Sequence, residues 1–174
     1  GSDERTLLCL VGLKILKEQM PMIFITGDCH GNFERFNPSI FPEQKEMTKE
    51  DYVIICGDFG GVWHKDEESP EETMVLDWLD SRPFTTLFVC GNHENFDRLY
   101  QYPVEDWHGG KVHKIRDSVL HLMRGQVFEI EEKKIFSFGG ASSHDIQGGV
   151  LEPDDPEFEK KYATLSRGYL PFRI

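Results

Sequence analysis

The stretch YVIICGDFGG, residues 52–61, decides the fold of this chain. Its first five residues form a short, β-rich apolar run, which predicts a buried strand. Gly57 ends that strand, and Asp58 follows at once. Two further stretches repeat the order of strand, glycine and then Asp or Asn, namely MIFITGDCHG at 22–31 and TLFVCGNHE at 86–94. Strands alternating with helical segments predict an α/β protein built on a parallel sheet.

The three turns carry the side chains that could bind a metal or take part in catalysis: Asp28, His30, Asp58, Asn92 and His93. Strands of a parallel sheet end at one edge, so these side chains are expected to converge in space. Two carboxylates, an amide oxygen and two imidazoles suit divalent metals such as Mn²⁺, Fe²⁺ or Zn²⁺. The sequence therefore predicts a two-metal phosphoester hydrolase site, or the larger part of one.

A structural explanation competes with this hypothesis. An aspartate at a strand-to-helix turn often only caps the helix, and capping is the better interpretation for Asp28 or Asp58 taken alone. Capping does not explain why His30 and the pair Asn92-His93 occupy the matching places. The other histidines are predicted to be surface or packing residues (His64, His108, His113 and His121), and for His144 contact with the site stays open.

The composition of the chain limits which classes of partner it is expected to bind. The 174 residues predict one domain, and the formal net charge of −12 argues against binding long nucleic acid. A small phosphoester substrate remains possible, because bound metals supply local positive charge. The longest apolar run, 7–13, is far shorter than the roughly 20 residues that span a membrane, so no membrane partner is expected.

The four cysteines are scattered and form no CxxC pair, which fits a reducing cytoplasm and not a zinc ribbon or a disulfide framework. They are interpreted as small buried thiols at strand ends. The alternative is that Cys56 and Cys90 are neighbours on adjacent strands and open to oxidation.

Residues 1–21 are interpreted as a leader helix or an extension added in cloning, and 22–174 as the domain itself. Ser69 and Glu72 form a predicted capping box that opens a helix through about Asp80, with its apolar side at Met74, Val75, Trp78 and Leu79. After Pro103, short strands are predicted at 112–115, 119–123, 126–130 and 135–138, the last two forming a hairpin with its tip at 131–134. The βαβ pattern of the first half and these hairpin strands together predict two stacked sheets flanked by helices.

The order D-x-H at 28–30, G-D at 57–58 and G-N-H-E at 91–94 resembles the calcineurin-like metallophosphoesterase family. The resemblance runs from about residue 22 to the C-terminus. It implies a metallophosphoesterase-type β-sandwich of mixed sheets flanked by helices, in four layers α/β/β/α. The run 139–145 is also similar to a loop of one bacterial branch of this family.

The resemblance also implies roles. Asp58 would bridge two metal ions, with Asp28 and His30 on the first ion and the neutral oxygen of Asn92 on the second. His93 would not be a ligand, and would protonate the leaving group or stabilise the phosphoryl oxygens. Mn²⁺ is the expected metal, with Fe²⁺ or Zn²⁺ as alternatives.

The chain departs from the family in two places. Gly61 stands where many members carry a second aspartate that helps to orient the catalytic histidine. The two later histidine-bearing segments that complete the family's site are absent. A truncated form with a weak second metal site is therefore expected, with self-association as a homodimer; completion by another chain or by His144 is the alternative. The function stays open between a phosphatase, a phosphodiesterase and a catalytically weak metal- or phosphate-binding protein.

Overall fold

The computed structural model describes residues 20–140, 156–157 and 160. Residues 1–19 of the expected leader and His144 therefore lie outside the described residues. Eight strands and two α-helices form the described fold: β1 Ile23–Thr26, β2 Tyr52–Cys56, α1 Pro70–Asp80, β3 Thr85–Val89, α2 Phe96–Leu99, β4 Val104–Trp107, β5 Gly110–Arg116, β6 Val119–Leu122, β7 Gln126–Ile130 and β8 Lys133–Ser137. Short 3₁₀ turns lie at Glu34–Phe36 and Pro42–Glu46.

Six strands form one mixed sheet in the order β1-β2-β3-β6-β5-β4. The first four strands of that order are parallel to one another. Strand β5 is antiparallel to β6, and β4 is in turn antiparallel to β5. The carboxyl ends of β1, β2, β3 and β6 consequently lie at the same edge of the sheet. This edge carries the three turns singled out from the sequence.

The central strands are buried on both faces, because apolar side chains alternate between two clusters. On the helix side, Val53, Ile55 and Phe88 pack with Leu76 and Leu79 of α1. On the opposite side, the sheet packs against the β7–β8 hairpin through residues that include Ile54, Leu87, Phe128 and Ile130. The described residues thus form three layers, of helices, sheet and hairpin, and the predicted mixed α/β fold is confirmed.

Helix α1 begins where the capping box predicts. Ser69 Oγ accepts the Glu72 N–H at 3.1 Å, and the Glu72 side chain accepts the Ser69 N–H at 3.3 Å. The predicted apolar side of α1 was partly wrong, because Met74 is 69 % exposed while Leu76 is fully buried. No helix within the described part of the chain has the length and apolar character needed to cross a membrane.

Two details of the later strands differ from the prediction. The hairpin tip is only Glu131-Glu132, both with positive φ, so that Lys133 and Lys134 already belong to β8. Strand β4 was missed because its sequence VEDW has no apolar alternation, and its first three side chains are exposed. It forms at the sheet edge by pairing with β5.

Candidate metal centre

The first two turns are joined through their backbones. The N–H of Asp28 donates to Gly57 O at 3.1 Å, and the N–H groups of Cys29 and His30 both donate to Asp58 O, at 3.0 and 2.7 Å. The parallel pairing of β1 and β2 therefore continues past the ends of both strands. As a result, the side chains of the two turns project from one continuous surface.

Asp58 lies at the centre of the cluster. Its Oδ1 accepts the backbone N–H of His93 at 3.0 Å, and its Oδ2 lies 3.3 Å from His93 Nδ1 and 3.6 Å from His30 Nε2. Burial alone would raise the pKa of Asp58, but the hydrogen bonds from His93 and the nearby imidazoles lower it overall. Asp58 is therefore an ionised carboxylate in contact with residues of both neighbouring turns.

His30 lies between two carboxylates. Its Nε2 is 2.8 Å from Asp28 Oδ1 and 3.6 Å from Asp58 Oδ2. Asp28 is 78 % exposed on its side chain, and its backbone carbonyl accepts from Arg35 Nη2 at 3.3 Å. Asp28 is thus at the open side of the cluster, where a carboxylate could reach an ion held by His30.

Asn92 joins the third turn to the same cluster. Its amide nitrogen lies 3.2 Å from His93 Nδ1, an arrangement that leaves the amide oxygen to serve as a neutral ligand. The rings of His30 and His93 lie 5.3 Å apart between centroids. All five predicted site residues are therefore brought to one place, and their individual roles as ligands or acid stay predictions.

The donor atoms fit a divalent ion. One ligand atom each from His30, Asp58 and His93 lies within 4.8 Å of the others. Donors that share an ion at about 2.0–2.2 Å are at most about 4.4 Å apart, so binding one ion would need at most a small inward shift of these side chains. This group includes His93, for which the resemblance implied an acid role. Gly61, which stands where many family members carry a second aspartate, packs against the Phe59 ring. In this chain Asp58 contacts His93.

Glu94 is the residue whose part in the site the sequence reasoning missed, although it was quoted as the last letter of G-N-H-E. Its carboxylate accepts the N–H groups of Phe59 at 2.8 Å and of Gly60 and Gly91 at 3.3 Å each. Burial raises the pKa of Glu94 to about 7, while those three N–H donors act in the opposite direction. Glu94 therefore ties the second turn to the third.

Backbone conformation at the site is unusual. Asp28, His30 and Asp58 have φ values of +56°, +47° and +48°, in the left-handed region that L-residues seldom adopt. Gly91 is required by a close approach, because any Cβ at this position would overlap the Asp58 carboxylate. The site thus depends on local backbone geometry as well as on the side chains that meet there.

The remaining candidates lie elsewhere. His113 and His121 are buried in the sheet, and His64 and His108 are exposed, as the packing-or-surface interpretation predicts. Cys29 and Cys90 are buried, and burial raises the pKa of Cys29 to about 11. Cys56 is exposed, contrary to the buried-thiol interpretation, and the burial of Cys90 argues against oxidation of the two as a pair.

Known proteins resemble this chain at two levels. The model of the calcineurin-like phosphoesterase family matches residues 21–167. Lariat debranching enzyme A of Xenopus laevis is 26 % identical over 143 residues, covering 75 % of this chain and 26 % of the relative. Lariat debranching enzyme of Danio rerio is 25 % identical over 150 residues, covering 78 % and 25 %. The chain therefore spans about a quarter of the length of the curated relatives it matches.

These relatives come from a frog and a fish, and the bacterial branch suggested by residues 139–145 stays a prediction. No solved structure gives a significant match. The family match covers most of the chain and contains all three turns, with the side chains of those turns converging on one cluster. This chain belongs to the calcineurin-like phosphoesterase family.

Proposed function

We propose that this chain hydrolyses phosphoesters with the help of divalent metal ions held by the three turns. The observation that carries the proposal is the convergence of His30, Asp58 and His93 within 4.8 Å, with Asp28 and Asn92 in contact with two of them. Capping does not account for this arrangement, because Asp58 contacts side chains from both neighbouring turns.

The residues divide the work as follows. Asp28, His30 and Asp58 would hold one ion, and Asp58 with Asn92 a second, for which Mn²⁺ is the expected metal. When bound, such ions activate water as a nucleophile and stabilise charge on the phosphoryl oxygens. Asp58 contacts both neighbouring turns and so fixes their separation, and Glu94 keeps the second turn in register with the third.

His93 is proposed to hold the proton that the leaving oxygen receives. Its backbone N–H is anchored to Asp58 Oδ1, and its ring nitrogen Nδ1 lies 3.3 Å from Asp58 Oδ2. The Asp58 carboxylate thereby orients the imidazole ring, as a general acid at a reacting group requires. Asp58 would thereby replace the family's second aspartate, whose position Gly61 occupies.

A second candidate function is a metal- or phosphate-binding protein with weak activity. The observation that favours it is that, within 20–140, a single cluster of this kind brings together histidine and acidic side chains. Only Asp58 and Asn92 are assigned to the second ion, and one of these is neutral. An open site of this kind would bind one ion firmly and turn over slowly.

The substrate class, the cellular location and the oligomeric state are proposed from the charge, the relatives, the cysteines and the exposed apolar surface. A small phosphoester is the proposed substrate, whether a monoester or a diester, because the net charge of −12 disfavours long nucleic acid. The curated relatives are named lariat debranching enzymes, so a branched phosphodiester is a further candidate substrate. The three described cysteines are free thiols, which supports a reducing cytoplasm.

A homodimer is also proposed, since Ile25, Phe136 and Phe138 expose apolar surface.

The proposal is tested with the full chain and p-nitrophenyl phosphate or bis(p-nitrophenyl) phosphate, in the presence of Mn²⁺, Fe²⁺ or Zn²⁺. Hydrolysis should require the metal, stop with a chelator and fall by at least about 100-fold in Asp58→Asn, since this change removes the shared charged ligand. Asp106→Asn, an exposed change on the edge strand β4, is the matched control and should retain activity.

The two candidate functions separate in the same experiment. Calorimetry that detects metal binding without turnover on any ester would favour the binding protein. Turnover that persists in Asp58→Asn would contradict the proposed site altogether.

A further inference from the structure

Arg124 lies at the same edge of the sheet as the metal cluster. It follows β6, the strand that runs parallel to β3 on the side away from β2. The three turns follow β1, β2 and β3, so Arg124 occupies the next position along that edge. With neighbouring strands about 4.8 Å apart, β6 is offset by about 5 Å from β3 and by about 10 Å from β2, the strand that leads to Asp58.

The guanidinium group of Arg124 is held from three sides. Its Nε donates to Cys90 Sγ at 2.9 Å, and Cys90 immediately precedes the third turn. Its Cζ lies 5.1 Å from the centre of the Phe96 ring, within the range of a cation–π contact. The guanidinium also lies against the backbone of Gly140, where an added Cβ would overlap its nitrogens unless the arginine shifted. These contacts fix the group while the side chain stays exposed.

The hydrogen bonding of Arg124 differs from that of the other arginines between residues 20 and 140. Arg98 and Arg116 pair with carboxylates, and Arg35 and Arg82 donate from their terminal nitrogens to backbone or hydroxyl oxygens. Arg124 uses only Nε, and neither terminal nitrogen has a hydrogen-bond acceptor among the described residues. Arg124 thus differs from these four in having both terminal nitrogens available to a ligand while its Nε is held.

We infer that Arg124 binds a second phosphate of the substrate, next to the phosphoester that is hydrolysed at the metal cluster. The two terminal nitrogens form a fork that matches two phosphate oxygens. Because β6 lies two strands from β2 in the sheet, this contact would lie beside the reacting phosphoryl group, on the β6 side of the site. The inference rests on the proposed function and adds the substrate class: phosphoesters that carry a neighbouring phosphate, such as a short nucleotide unit.

The test compares two substrates with the full chain and Mn²⁺: thymidine 5′-(p-nitrophenyl phosphate) with and without a 3′-phosphate. The wild-type protein should show a kcat/KM about 10- to 100-fold higher on the 3′-phosphorylated ester, the range expected for hydrogen bonds between charged groups. Arg124→Gln should abolish that preference and leave activity on the singly phosphorylated ester nearly unchanged. Arg82→Gln, which removes an equal charge near the end of α1, should keep the preference.

The inference is overturned if the wild-type protein treats both esters alike, or if Arg124→Gln keeps the preference. Where Arg124→Gln does not fold, Arg124→Lys replaces it, because it keeps the charge without the fork. A preference that falls by about threefold or more then supports the inference, and an unchanged preference overturns it.

A failure of the proposed function is recognised separately. If neither ester is hydrolysed, calorimetry compares the binding of thymidine 3′,5′-bisphosphate with that of thymidine 5′-monophosphate. Tighter binding of the bisphosphate that is lost in Arg124→Gln supports the second phosphate site without turnover. Equal binding of the two nucleotides overturns it.

Discussion

The buried imidazole of His121 should contribute a loss of stability in weak acid, against an opposing contribution from Glu94, whose pKa is raised to about 7. The side chain is 1 % exposed and stacks beside His113, with the two Nδ1 atoms 3.0 Å apart. Its Nε2 has no hydrogen-bond partner among the described residues. Burial, aided by the charges of His113 and Arg124, lowers the pKa of His121 from 6.5 to about 3.

The sign and size of the effect follow from this pKa. Above pH 6.5 the ring is neutral in both the folded and the unfolded chain, so it contributes no pH dependence. Below pH 6.5 His121 binds a proton in the unfolded chain but stays neutral in the folded chain, so the free energy of unfolding falls. At pH 5, which is 1.5 below 6.5, the loss is about 2 kcal/mol at 1.36 kcal/mol for each tenfold change.

Urea denaturation at pH 7.5 and pH 5.0 measures this loss. His121→Leu replaces the ring by an apolar side chain of similar size, and the change in unfolding free energy between the two pH values should shrink by about 2 kcal/mol. His108→Gln, which alters an exposed histidine, should retain the wild-type pH dependence. If His121→Leu and the wild-type protein lose the same stability between the two pH values, His121 is not the group responsible.

Three other predictions concern the site and its support. His93→Ala should lower turnover by roughly 10²–10⁴-fold while Mn²⁺ binding measured by calorimetry stays nearly intact; parallel losses of both would make His93 a ligand. Arg98→Ala should cost about 3–5 kcal/mol in urea denaturation, because it leaves the buried Glu72 carboxylate, 2.7 Å away, without its cation. A loss below about 1 kcal/mol would mean that the backbone N–H donors suffice for Glu72. Mn²⁺ titration of the full chain should give one firm site per chain, and two tight sites on a monomer would contradict the expected weakness of the second ion.

The fold was predictable where the sequence pattern is local. The bounds of β2 and β7 agree with the prediction residue for residue, and α1 begins at its capping box, because apolar runs and caps act within a few residues. Strand β4 was not predictable, since VEDW forms a strand only through pairing with β5. The exposure of Met74 likewise depends on the side of α1 that faces the sheet, which a helical pattern with apolar residues on several sides does not determine.

The candidate site was predictable at the level of which residues meet. The parallel order of the strands is sufficient to bring Asp28, Asp58 and Asn92 to one edge. The sequence did not reveal how the turns are joined, because Glu94 acts on backbone N–H groups of a distant turn. Arg124 was missed for a related reason: its position depends on β6 lying next to β3, a pairing between strands that are far apart along the chain.

The left-handed backbone conformation of Asp28, His30 and Asp58 lowers the stability of the fold at the positions of the proposed metal ligands. An L-residue in this region costs up to about 1–2 kcal/mol, less for aspartate, and glycine avoids that cost. The side chains proposed as metal ligands therefore stand where the backbone would accept glycine most readily. A library of variants sorted for thermal resistance alone would lose these three side chains first, so any stabilised version of this protein should be selected under an activity screen.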